Sequence, residues 1–169
     1  MKKIAFLLVF ISINTFAQGK YLTKTGTLNF EASVPSFEEV AAKNNSVTAI
    51  LNTDNNEFAA LALVKGFRFK NALMEEHFNE NYAESDKHPK ATFKGKITDN
   101  TIKGELTFHG VTKSLDDIPV TISKKGERIH MSGSFMVKAS DFDIKIPKVV
   151  KSKVAEDIKV SFEFELKKK

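Results

Sequence analysis

The chain has no cysteine and no tryptophan in 169 residues, and only two tyrosines. Without cysteine there is no disulfide, no thiolate nucleophile and no cysteine-linked lipid anchor, so stability has to come from packing. After residue 17 no stretch approaches the ~18 consecutive apolar residues of a membrane-spanning helix, which predicts a soluble domain without a transmembrane anchor. There is no Gly-x-Ser-x-Gly elbow, internal repeat, linker or low-complexity segment. A true excess of one charge is missing as well. The net charge of +5 and pI of 9.3 suggest a nucleic-acid binder until the charges are located. Of 26 Lys and Arg, Lys2 and Lys3 open the chain and Lys167, Lys168 and Lys169 end it, so 21 basic residues between them face 21 acidic ones. That body is formally neutral, which argues against nucleic acid as a partner. The terminal lysine run reads as a solvated tail.

What is present begins at Met1. Lys2 and Lys3 form a positive n-region, Ile4 to Ile13 is apolar apart from Ser12, and Thr15-Phe16-Ala17 places small residues where signal peptidase reads them. Residues 1–17 are therefore expected to be a secretory signal peptide, too short to span a hydrocarbon core of ~30 Å. The mature domain, 18–169, would be periplasmic or secreted. Its 152 residues suit one domain with a real core.

Period-two alternation dominates that domain. Thr27 to Val34 places an apolar residue at every second position, and so do the runs through Ile102–Phe108, Ile118–Ile122, Ile129–Val137 and Ile158–Leu166. Shorter runs lie at Val47–Leu51, Phe58–Val64 and Ala91–Ile97, with turn signals at Asp54-Asn55-Asn56, Asp99-Asn100 and Lys124-Lys125-Gly126-Glu127. Each strand has one apolar and one wet face, as in antiparallel sheets. Two segments read as short helices. Ser36-Phe37-Glu38-Glu39 is a capping box behind Pro35, predicting about two turns that end near Asn44-Asn45. Asn71 to Tyr82 spaces Met74, Phe78 and Tyr82 by four and ends before the tight turn Asp86-Lys87-His88-Pro89. An all-β, antiparallel lipocalin-like barrel of about eight strands with two short helices is the expected fold. The inward parity would collect Leu28, Phe30, Phe93, Leu106, Phe108, Phe135, Phe162 and Phe164 on one apolar wall. Parity alone leaves open whether these side chains fill the barrel or line a tunnel.

Three stretches make the sequence resemble the YceI-like family. They are Leu73-Met74-Glu75-Glu76-His77-Phe78 through Tyr82 with His88-Pro89-Lys90-Ala91-Thr92-Phe93-Lys94-Gly95; Gly104-Glu105-Leu106-Thr107-Phe108-His109-Gly110-Val111-Thr112-Lys113; and Phe135-Met136-Val137-Lys138-Ala139-Ser140-Asp141-Phe142. The middle one is the most specific. The resemblance implies a lipocalin-like barrel with a long apolar tunnel, in which relatives hold an isoprenoid chain or similar amphiphile. Two positions depart from the family: Ala139 stands where an Arg is usual, and Asp143 where a Gly is usual. On this reading the eight wall residues bind an isoprenoid, quinone or other lipid, and Thr107, His109, Thr112 and Ser140 sit at the mouth or its turn. The alternative is an envelope stress or interaction protein with a filled barrel and no ligand. No cofactor is expected beyond such a bound amphiphile, and self-association as a homodimer stays open.

The remaining chemistry is sparse. Glu75-Glu76-His77 with His88 matches no metal-ligand spacing, so no metal site is expected. Ser140-Asp141 and Asp116-Asp117 lack a base at readable spacing, and no enzyme is expected. His109 lies on the polar parity of its strand and is expected to brace the Gly110 turn.

Overall fold

The computed structural model describes residues 19–35 and 37–169. The signal peptide expected over 1–17 lies outside them, as does Ser36. Alternation becomes strand as expected: β1 Lys20–Ser33, β2 Ala41–Asn52, β3 Glu57–Leu63, the two-residue β4 Arg68–Phe69, β5 Lys90–Thr98, β6 Thr101–Phe108, β7 Val111–Lys125, β8 Arg128–Lys138 and β9 Val154–Lys168. Eight of them form an antiparallel ring in the order β1-β9-β8-β7-β6-β5-β3-β2, closed by pairing of β1 with β2, and β4 adds to β2 as an extra strand. Closure gives every long strand two neighbours and so removes the edges that would template aggregation.

The two ends of this ring are built differently. At one end, which we call the lower, Asn52 pairs with Glu57, Thr98 with Thr101 and Lys125 with Arg128, so each connection is only a few residues. Asp99 (φ 46°) and Asn100 (φ 65°) both take the left-handed conformation that a two-residue hairpin turn needs. At the upper end the chain leaves the barrel for residues 34–40, 64–89 and 139–153, and only the His109-Gly110 turn is short.

Of the two expected helices, one forms. Asn71 caps α1 (Ala72–His77) by accepting from the backbone N–H groups of Leu73 and Met74, and a π-helical turn continues it through Tyr82. The helix expected from Ser36 to Asn45 does not. Its capping residue is outside the described part, and from Ala41 onward the chain is β2, with Ala32 N–H donating to Val40 O at 2.8 Å. The competing principle is tertiary: Glu31 and Phe30 of β1 need partners, and Ala41 and Ala42 supply them. A short helix with little packing surface cannot outweigh that ladder. Asn44, expected at a helix end, is instead buried in β2, donating to Leu63 O at 3.0 Å and accepting from Ser46 N–H at 2.9 Å.

Inside the ring, large and small residues face each other, as a small barrel requires. A Cβ on Gly26 would come within 2.3 Å of the Phe164 ring, and one on Gly133 within 2.6 Å of the Phe162 ring. These two glycines are what allow consecutive inward phenylalanines on β9, whose rings stack at 5.4 Å. Tyr21, Leu51, Val120, Ile129, Met131 and Leu166 fill the lower half, Met131 and Leu166 with no exposure at all.

Candidate functional site

Above this plug the barrel is hollow. A cavity of about 470 Å³ runs from the upper connections down to Val47, Phe58, Ile102, Ile118 and Phe164, and none of the six plug residues borders it. Leu28, Phe30, Phe93, Leu106, Phe108, Phe135, Phe162 and Phe164 all line it, brought together from β1, β5, β6, β8 and β9. Space remains between these bulky walls because Ala32, Ala60, Ala62 and Ala91 stand among them.

The roof is aromatic. Phe30 lies 5.4 Å from Phe67, 5.7 Å from Phe69 and 5.3 Å from Phe78, ring centre to ring centre, and Phe69 and Phe78 approach to 5.2 Å. Such tilted and edge-on pairs add packing energy beyond burial. Met74, Phe78 and Tyr82, spaced by four on α1 and its π turn, all face the cavity. Phe67 and Phe69 were missed by sequence reasoning. Their own alternation was the available signal, cut short by the turn at Val64–Gly66.

The polar residues of the lining are few: Glu38, His77, Tyr82, Thr92, Lys138 and Lys153. Glu38, His77, Lys138 and Lys153 are exposed, and all four belong to the upper connections or the strand end beside them, which marks the mouth. The four residues expected at the mouth or its turn stand at the upper end but do not line the cavity. Thr107 and Thr112 share a hydrogen bond at 2.8 Å outside the cavity lining, Ser140 is exposed on a 3-10 turn (Ala139–Phe142), and His109 does not line the cavity either. For Thr107 and Thr112 the physical reason is parity: polar positions on a one-sided strand face outward, whereas the mouth is made by connections.

His109 is a strut, though with other partners than its own turn. At φ 50° it forms the turn with Gly110. Its Nδ1–H donates to Phe142 O at 2.9 Å, and Nε2 lies 3.1 Å from Glu84 Oε2. The ring therefore ties the β6–β7 turn to two upper connections. His88 packs edge-on against it at 4.8 Å and leaves no room for a Cβ on Gly110. The Lys87 ammonium and then the His109 ring hold the Glu84 carboxyl below its usual range. Glu84, His88 and His109 bring ligand-type atoms within 4.8 Å of one another, but Lys87 and His109 already occupy both oxygens of Glu84. Glu75, by contrast, is engaged with Arg68 and the Phe69 N–H and is not grouped with His88. Asp141, the other braced carboxylate, is held low chiefly by Lys113, with help from the Lys138 N–H.

A one-ended barrel roofed by the 71–89 segment and locked by a histidine from the β6–β7 turn invites comparison with known proteins. The YceI-like domain matches residues 17–166. This chain belongs to the YceI-like family. No curated relative matches the sequence. Among solved structures, a polyisoprenoid binding domain from Saccharophagus degradans, implicated in plant cell wall breakdown, aligns with a TM-score of 0.77 at 14% identity, covering 90% of this chain and 99% of that one. BcnA of Burkholderia cenocepacia gives 0.70 at 16% identity, covering 83% and 95%. The YCEI protein of Campylobacter jejuni gives 0.55 at 18%, covering 99% and 94%. At these identities the likeness is one of fold. Within this YceI-like chain, Asp143 after the Ser-Asp-Phe turn is left-handed at φ 56°, a conformation that glycine adopts more readily.

Proposed function

We propose that this YceI-like protein is an exported carrier that holds a long apolar molecule, an isoprenoid, quinone or other lipid, in the upper half of its barrel. One observation carries the reading: an interior of about 470 Å³ bounded almost wholly by apolar side chains. That volume lies within the range of small-molecule sites, and water gains little in a chamber with so few polar partners. Burial of a chain there would release ~25 cal/mol per Å² of apolar surface, before the loss of translational and chain entropy. The Phe walls would make this contact, while Glu38, His77, Lys138 and Lys153 could meet only the end that stays at the mouth. The polyisoprenoid-binding neighbour supports an isoprenoid among the candidates, and the N-terminal signal pattern supports export. The lining is almost wholly apolar, so we read the chamber as a container. Native mass spectrometry of protein purified from its own membranes is the test. A co-purifying lipid that departs on unfolding is expected; an empty barrel that also fails to take up long-chain probes would end the carrier reading.

A further inference from the structure

The outer surface near the mouth is unlike the rest of the barrel. Large apolar side chains are exposed at Phe37 (48%), Leu63 (54%), Leu73 (57%), Met136 (54%) and Val149 (83%). Phe37, Leu73 and Val149 stand on the upper connections, Leu63 ends β3 at that rim, and Met136 is two residues from the upper end of β8. Among the described residues, none is at the lower end. Exposed apolar groups confined to one end of a water-facing molecule mark that end as a contact surface.

Beside them runs Ile144-Lys145-Ile146-Pro147-Lys148-Val149-Val150-Lys151-Ser152-Lys153. Ile144, Ile146 and Val150 line the cavity, Lys145, Lys148 and Lys151 are exposed outside its lining, and Lys153 is exposed at the mouth. None of the four lysines forms an ion pair with another described residue. Elsewhere at the upper end Glu39 pairs with Lys70, Glu75 with Arg68, Asp86 with Lys65 and Asp141 with Lys113, while Glu38, Glu76, Glu80 and Asp143 form no ion pair with another described residue. Within residues 144–153, on either side of the exposed Val149, the charge is wholly positive. Lysines interleaved with apolar side chains, where a chamber for a long apolar molecule opens, fit one partner in both chemistries.

We propose that this rim docks on the surface of an anionic phospholipid bilayer. The lysines would meet headgroup phosphates, Val149 and its exposed neighbours would enter the headgroup layer, and the mouth would face the lipid. An apolar chain could then pass between membrane and barrel without crossing water. The inference rests on the carrier reading and supplies its loading step.

Co-sedimentation with vesicles tests it, using phosphatidylglycerol mixed with phosphatidylcholine against phosphatidylcholine alone. Binding should require the anionic lipid and weaken steeply as salt rises, since surface lysines contribute about fivefold in affinity each. Lys145→Glu with Lys148→Glu should weaken binding at least ~25-fold. Val149→Asp, on a side chain outside the core, should weaken it further. Lys167→Glu, Lys168→Glu and Lys169→Glu together alter the lower end and should leave it nearly unchanged. Circular dichroism establishes that each variant is folded, and uptake of a fluorescent long-chain probe is followed in parallel. Wild-type protein that takes up the probe but ignores anionic vesicles overturns docking and leaves the carrier intact. Protein that sediments but takes up no probe leaves docking standing and removes the carrier. Loss of sedimentation through the lower-end lysines, with the rim variants unaffected, also overturns the proposal.

Discussion

The lower and upper halves of this barrel use the same eight strands and nearly the same inward parity, yet one is packed and the other encloses space. In the lower half, Tyr21, Leu51, Ile129, Met131 and Leu166 pack into one core above the short hairpins. In the upper half the rings stand against the wall with alanines between them, and a roof of connections takes the place of a plug. Period two assigns a side chain to the inside but says nothing about whether opposite side chains touch. That depends on residue volume at each level and on what closes the end.

The largest expected contrast between the halves is in stability. Met131→Ala in the plug should cost ~2–5 kcal/mol, because it opens a void in close-packed surroundings. Phe135→Ala should cost under ~2 kcal/mol, since one side of that ring already borders empty space. Urea denaturation of the pair measures this, and equal losses would mean that the upper half is packed too.

Overfilling sharpens the same comparison from the other side. Ala60→Phe should occupy the cavity, reduce long-chain probe uptake at least tenfold and change stability by less than ~1.5 kcal/mol. Val120→Phe, in the plug, should cost ~1–3 kcal/mol and leave uptake nearly intact. If Ala60→Phe destabilises as much as Val120→Phe, the chamber closes on itself in solution.

Acid should separate the halves next. Glu84 and Asp141, both carboxylates held below their usual range, brace the upper connections. Their contribution is complete above the ordinary carboxylate value and is lost as pH falls through the depressed folded value. Hydrogen exchange at residues 83–89 and 139–144 should therefore rise on acidification before exchange in the plug strands does. His109→Ala should produce the same selective loosening at neutral pH.

The smallest effect expected is a gain. Asp143→Gly relieves a left-handed non-glycine residue and should add ~0.5–1 kcal/mol net of the greater flexibility of the unfolded chain. Thermal melts of the two proteins would read it.

How much of this was legible beforehand follows from the same distinction. All eight wall residues from Leu28 to Phe164 follow from alternation, because one buried face forces period two. The helix at Asn71 was readable from its cap and its spacing by four. The Pro35–Asn45 helix was misread because local capping cannot weigh the ladder that β1 demands of Ala41 and Ala42. The mouth was misread for a related reason. Thr107 and Thr112 are near the rim in sequence terms, but Glu38, His77 and Lys153 reach it only through the way distant connections converge. Volume and convergence are properties of the closed ring, and neither is written in a strand's alternation.

The lower end has a practical side. Lys169 N–H donates to Lys20 O at 2.9 Å, so the described chain starts and stops side by side, at the barrel end away from the cavity. A handle fused after Lys169 would hold the molecule by its base. Immobilised that way on a sensor surface, the protein would present its mouth outward, and lipid uptake could be followed on one uniformly oriented layer.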